Sequence, residues 1–213
     1  VGGLSIYQEV KKHLPRESFV YLADQANNPY GGRPEAEIRK LASKVVSFLV
    51  KKKVKLIIVA CNTATVHAIG YLRDKFDIPI IGVVPVVKTV AENSKTGKAA
   101  VFSTPATAKS KYLANLIKKF GGNTKIYRVG SSGLEHLVEQ GVTDRTEISK
   151  AIKAALIPLL AKNVDAIALG CTHYPFLRTQ IGKVLGSNVK VYDSGGAIAR
   201  RTKQVLENEN LLS

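Results

Sequence analysis

The sequence predicts an α/β protein of two pseudo-symmetric lobes, each a mostly parallel sheet flanked by helices, with its site in the cleft between them. Three observations carry this reading. Short β-branched apolar runs alternate with amphipathic stretches of helical period along the whole chain, the pattern of parallel strands joined by crossover helices. Two of those runs end alike: residues 56–60 deliver Cys61 to Asn-Thr-Ala-Thr, and residues 166–170 deliver Cys171 to Thr-His-Tyr-Pro, 110 positions later (171 − 61). At 213 residues the chain can bury two cores of roughly 100 residues each. The expected division is a first lobe over 1–86, a second over 87–192, and a last segment, 193–213, that returns to the first.

In chain order, Ile6, Val10 and Leu14 space an amphipathic helix over 5–14 that stops at Pro15. Residues 19–23 read as a strand, and 24–32, rich in Asn, Gly and Pro, as a loop at its carboxyl end, where α/β proteins keep binding groups. Pro34, Glu35 and Glu37 open a helix whose face is marked by Ile38, Leu41, Val45, Phe48 and Leu49. The run ending at Cys61 reads as a strand buried on both faces, and Asn62, Thr63 and Thr65 as caps of a helix over about 64–76. A strand over 78–84 and a weak helix over 86–93 follow.

The second half repeats the alternation. It predicts a strand at 99–102, one helix over 104–120 closed by Gly121-Gly122, a strand at 125–129, and a flexible Gly-Ser-Ser-Gly before a short helix with Glu135, His136 and Glu139. Residues 146–161 are helical in pattern, with Pro158 expected to kink or shorten them. The second cysteine strand, a helix to about 185, a strand at 190–192 and a helix over 196–208 complete the chain.

Composition narrows the function. No apolar run approaches the ~20 residues that span a bilayer, and no charged-then-apolar leader precedes the fold, so a cytoplasmic protein without membrane partners is expected. Two cysteines without framework spacing read as reduced thiols. With no methionine and a Val1-Gly2-Gly3 start, the first residues are not those expected of a complete translated product. Lysine and arginine total 32 against 16 acids, a net charge of +16 that invites a nucleic-acid reading. The lysines are nevertheless spread over helix faces and loop ends, so the basic surface is expected to be incidental and nucleic acid not a partner. A homodimer is compatible with the sequence, which does not specify one.

Two matched thiols permit a particular chemistry. A cysteine thiol with pKa near 8.5 needs roughly 2 kcal/mol of stabilisation to ionise near pH 7, more than one helix end ordinarily supplies. Donors such as Thr63, Thr172 or His173 would have to contribute. Facing each other across a cleft, one thiolate can remove a proton from a carbon while the opposite thiol returns one, which inverts a stereocentre without a cofactor or metal.

The segments Val-Gly-Gly-Leu-Ser, Pro-Tyr-Gly, Val-Ala-Cys-Asn-Thr-Ala, Ile-Pro-Ile-Ile-Gly-Val, Ser-Thr-Pro-Ala-Thr, Leu-Val-Glu, Gly-Cys-Thr-His-Tyr-Pro and Tyr-Asp-Ser, in that order over nearly the whole chain, resemble glutamate racemase of the aspartate/glutamate racemase superfamily. That resemblance implies a cofactor-independent isomerase interconverting L- and D-glutamate and supplying D-glutamate for peptidoglycan and the cell wall. It implies that Cys61 is the base toward D-glutamate and Cys171 the base toward L-glutamate, with His173 and Glu139 assisting. Tyr30, Gly31, Asn62, Thr63, Thr107, Thr172 and His173 would hold the amino acid. In the family an Asp-Ser-Gly that contacts the substrate precedes Val-Gly-Gly-Leu. This sequence starts just after it, so the chain as written is expected to fold weakly or to be inactive. Gly130-Ser131-Ser132 stands where relatives often have Ala-Cys-Pro.

Taken singly, each cysteine would more often be a small buried hydrophobe; their matched motifs favour catalysis. A disulfide, a metal site built on His173 or His67, and a Cys171–His173 hydrolase are the weaker readings. The same motifs also leave room for an aspartate or hydantoin racemase, a one-cysteine decarboxylase or a noncatalytic binding relative.

Overall fold

The computed structural model describes residues 1–142 and 145–213, for residue 145 the backbone alone. The helices and strands, in order, are α1 (Gly3–His13), α2 (Glu35–Lys51), β1 (Ile57–Val59), α3 (Asn62–Lys75), β2 (Ile80–Gly82), α4 (Val87–Asn93), β3 (Lys98–Ser103), α5 (Pro105–Lys109), α6 (Lys111–Phe120), β4 (Lys125–Gly130), α7 (Leu134–Glu139), α8 (Arg145–Leu160), β5 (Ala166–Gly170), α9 (Arg178–Leu185), β6 (Lys190–Tyr192) and α10 (Gly195–Asn208). The fold is α/β, and all the strand pairings are parallel: β1 with β2 in one sheet, and β4-β3-β5-β6 in the other.

The side-chain alternation of the central strands explains why both sheets are covered on both faces. In the larger sheet Ala100, Phe102, Ile167 and Leu169 point into one core with Ile152 and Leu156 of α8 and Ile181 of α9. Their neighbours Ala99, Val101, Ala166 and Ala168 meet Val87, Val90 and Leu113 of α4 and α6 on the opposite side. Small alanines let the helices approach closely there. In the smaller sheet Ile57 and Ile80 pack under α2 and α3, while Ile81 and Val83 pack with Ile6, Val10, Ile198 and Ala199 of α1 and α10. The last helix therefore lies against the first.

Four expectations need correction. Residues 19–23 pair with no strand among the described residues. A cavity of about 610 Å³, bordered by Phe19, Tyr21, Ile57 and Val59, separates this run from β1, so its backbone has no neighbour to complete a ladder. The helix expected over 104–120 is two, because Ser110 leaves helical geometry (φ −63°, ψ 142°) and its hydroxyl accepts from the Leu113 N–H at 3.1 Å, opening α6 afresh. Helix α8 runs through Pro158 to Leu160, so the proline does not end it there. In α2 the buried face follows Ile38, Ala42 and Val46, whereas Phe48, about 100° off that stripe, is 46% exposed.

Candidate active site

Strand β1 ends two residues before Cys61, whose extended backbone (φ −149°, ψ 122°) makes it the N-cap of α3. Its Sγ accepts from the Ala64 N–H at 3.4 Å. Asn62 and Thr63, expected as caps, instead occupy the first helical turn, which frees their side chains. The Asn62 amide donates to the Val83 carbonyl at 3.3 Å, and the Thr63 hydroxyl lies 3.1 Å from the Thr104 and 3.4 Å from the Thr107 hydroxyls. All four are buried. Sequence reasoning misses Thr104; as the N-cap of α5, it follows a strand in the same way that Cys61 does, and that placement is the signal that could have found it.

Cys171 follows β5 directly. Glycine is required at the preceding position: a Cβ on Gly170 would stand 2.8 Å from the Ser103 Cβ. The turn is closed by the Tyr174 N–H donating to the Cys171 carbonyl at 3.1 Å, and the buried Tyr174 hydroxyl donates to the Ser131 carbonyl at 3.2 Å. The two cysteine turns are tied together. The Thr172 hydroxyl donates to the Ala60 carbonyl at 3.2 Å, joining the residue after Cys171 to the residue before Cys61. Ser5 of α1 adds a hydrogen bond to the Thr172 carbonyl at 2.8 Å. A Cβ at Gly2, the N-cap of α1, would approach His173 to 2.6 Å, so the chain also needs glycine where it enters α1 past the site.

His173 bridges a thiol and a carboxylate. Its Nδ1 lies 3.6 Å from the Cys171 Sγ, and its Nε2 lies 2.5 Å from Glu139 Oε1. If Nε2 carries the proton toward Glu139, Nδ1 is left as an acceptor facing the thiol. Burial pushes the Glu139 carboxyl up, while the hydrogen bond with His173 pulls it down and favours the carboxylate.

Tyr30 packs against the core cluster that Cys61 borders, and its hydroxyl donates to Asp24 at 2.6 Å. Burial and that bond raise the Tyr30 phenol well above its ordinary range. Gly31 comes beside α7, where Glu135 Oε1 lies 3.8 Å from the position of a Gly31 Cβ. From sequence, Glu135 is only one residue of a short helix, with no role attached. Its spacing of one turn from Glu139 is the available signal, since residues four apart share a helix face.

Helix ends do not activate the thiols here. Burial raises both above the ordinary cysteine value: for Cys61 the Ala64 and Thr63 N–H groups pull only partly back, and for Cys171 those of His173 and Tyr174 do likewise. Glu135 pushes both further up, and Cys61 pushes up Cys171, so the two sulfurs lie within electrostatic reach of each other. Desolvation of a small anion outweighs one or two amide dipoles. Cys61 borders the 610 Å³ cavity and Cys171 a second one of about 390 Å³; Thr172 lines both.

His67 is elsewhere, with Nδ1 3.4 Å from Glu35 between α2 and α3. No cluster of three or more potential metal ligands occurs among the described residues. Neither does any helix among them have the length and apolarity to cross a membrane.

The sequence profile of the Asp/Glu/Hydantoin racemase family matches residues 2–202. A glutamate racemase of Herpetosiphon aurantiacus is 41% identical over 213 residues, covering 100% of this chain and 84% of the relative. The structure is similar to that of Escherichia coli glutamate racemase in complex with L-glutamate and the activator UDP-MurNAc-Ala, with a TM-score of 0.89 and 37% identity over 97% of this chain and 79% of that one. It is also similar to a Francisella tularensis glutamate racemase in complex with D-glutamate, with a TM-score of 0.86 and 32% identity over 100% of this chain and 79% of the other.

Proposed function

Given that the chain belongs to the Asp/Glu/Hydantoin racemase family, we propose that it is an isomerase interconverting L- and D-glutamate by proton transfer between two cysteines. The observation that carries the mechanism is the Thr172–Ala60 hydrogen bond, which ties one cysteine turn to the other. In the L-to-D direction the Cys171 thiolate takes the α-proton, breaking the Cα–H bond and forming S–H. The Cys61 thiol then gives its proton to the opposite face of the carbanion and is left as thiolate. The D-to-L direction runs the same steps in reverse.

In this reading His173 takes the thiol proton of Cys171 before turnover, and Glu139 fixes the imidazole through Nε2. The Asn62 amide and the Thr63 and Thr107 hydroxyls supply donors for a carboxylate, Thr172 keeps the turn in place through its bond to Ala60, and Tyr30 and Gly31 hold the rest of the amino acid. Substrate binding has to supply part of the ionisation that burial opposes. The lobe division over 1–86 with 193–213, and 87–192, belongs to this proposal, as do a cytoplasmic setting and the use of D-glutamate in peptidoglycan.

The test is circular dichroism of L-glutamate incubated with the full-length protein, without added pyridoxal phosphate or metal. The signal is expected to decay to zero as the racemate forms. Persistence of the signal, or faster loss with L-aspartate than with L-glutamate, would overturn the assignment.

A further inference from the structure

Helices α2 and α3 form a basic groove that the two-cysteine chemistry does not use. Residues 36, 40, 43, 44, 47 and 51 recur at intervals of one, three and four, so they fall on one stripe of α2, about 22 Å long over four turns. With Tyr71 and Lys75, one turn apart on α3, that stripe lines an open groove of about 660 Å³. Ser43 and Ser47 keep it free of bulk along its middle, and lysines edge it.

The charge there is not neutralised from within. The acids of α2 are used elsewhere: Glu35 pairs with Arg39 and lies 3.4 Å from His67, and Glu37 pairs with Arg33. Lys40, Lys44 and Lys51 have no acidic partner among the described residues. The groove also carries apolar surface, with the rings of Phe48 and Tyr71 both exposed. Its occupant therefore has to bring negative charge and apolar contact together.

Two observations distinguish a nucleic acid from a protein segment here. The ring faces already carry cations: Lys52 Nζ lies 5.4 Å from the Phe48 centroid, and Lys75 Nζ 5.4 Å and the Arg39 guanidinium 6.0 Å from that of Tyr71. Stacked bases need such faces open. The unpaired cations, moreover, are lysines, whereas the groove's arginine, whose planar fork matches phosphate, is engaged by Glu35. Carboxylates need only point charges, and aliphatic side chains pack against ring edges and lysine stems. An amphipathic helix supplies both, as an apolar stripe flanked by acids, and lies along a groove of this length.

We infer that the α2–α3 groove docks an acidic amphipathic helix of a partner protein. The experiment uses the full chain and a fluorescein-labelled helical peptide of about 18 residues, with leucines on one face and glutamates on both flanks. Fluorescence anisotropy at about 0.15 M salt is compared with that of a shuffled peptide of the same composition and of a single-stranded oligonucleotide. The patterned peptide is expected to bind saturably and roughly tenfold tighter than either control. Lys44→Glu combined with Lys51→Glu should weaken it by about tenfold or more, and Lys44→Gln by less in the same direction. Phe48→Ala should weaken the patterned peptide about fivefold and leave the shuffled one unchanged. Far-ultraviolet circular dichroism confirms that these surface variants fold. No saturable binding of the patterned peptide, equal binding of the shuffled one, tighter binding of the oligonucleotide, or indifference to Phe48→Ala each overturns the inference.

Discussion

At the scale of single residues, the site is set by what each polar group lacks in the interior. Burial drives both thiols toward the protonated state, which suits the one that acts as acid and requires the other to be ionised before it can act as base. Cys61→Ser is expected to lower racemisation by roughly 10²- to 10⁴-fold, because the proton removed on one face can no longer be replaced from the other. In deuterium oxide that variant should slowly exchange the α-hydrogen of L-glutamate and spare D-glutamate, with Cys171→Ser showing the reverse. Proton NMR of the α-hydrogen reads both. Full racemisation by either variant would sink the two-base mechanism. Thr172→Val removes the bond to the Ala60 carbonyl. It should cost about 1 kcal/mol in urea unfolding and lower racemisation further than that loss explains, since the cysteine turns would be untied.

At the scale of elements, the caps explain where the sequence pattern and the structure part. A continuous helical period over 104–120 conceals the break at Ser110, since local propensity does not reveal that the hydroxyl will turn to the Leu113 N–H. Ser110→Ala should destabilise the protein by about 1 kcal/mol without moving the active-site residues. Asp165, just before β5, similarly secures the turn into β3. Its carboxylate accepts from the Ser94 hydroxyl and the Lys95 N–H, both at 2.6 Å, and from the Thr96 N–H at 3.0 Å. Burial raises its pKa, but these bonds prevail and lower it below the ordinary value. A depressed folded-state pKa contributes stability that is fully present above the unfolded value of about 4 and is lost as pH falls through the folded one. Asp165→Asn should therefore be less stable than wild type at pH 7, by about 1–3 kcal/mol, with the gap narrowing below pH 4. Denaturant unfolding at pH 7 and pH 3 checks this, and a gap that stays constant would exclude the ionic contribution.

At the scale of the whole molecule, the fold redistributes a charge that looks evenly spread along the chain. Arg39, Lys40, Lys44 and Lys51 of α2 and Lys75 of α3 line one groove, beside the exposed rings of Phe48 and Tyr71. Such a surface attracts any polyanion at low salt. Duplex DNA is expected to bind weakly, with an affinity falling at a log–log slope of roughly −4 and little binding left near 0.15 M salt. Lys44→Glu combined with Lys51→Glu should flatten that slope and leave racemisation unchanged. Fluorescence anisotropy reads the first and circular dichroism of glutamate the second. Sequence-specific binding at 0.15 M salt would show that the groove has a nucleic-acid function.

The sequence by itself determined the alternation of strands and helices, because a strand buried on both faces must be apolar throughout and its flanking helices must be striped. It also determined the pair of cysteine motifs, since Cys61 and Cys171 end two such strands. Tertiary structure alone decided how those ends meet. The Thr172–Ala60 bond, the Cys171–His173–Glu139 chain and the approach of Glu135 to Gly31 each join residues from separate elements. Local pattern carries no information on such distances. The thiol ionisation was likewise out of reach of sequence, because adjacent amides can be counted from residues 61–64, whereas the desolvation that outweighs them comes from the whole surrounding fold.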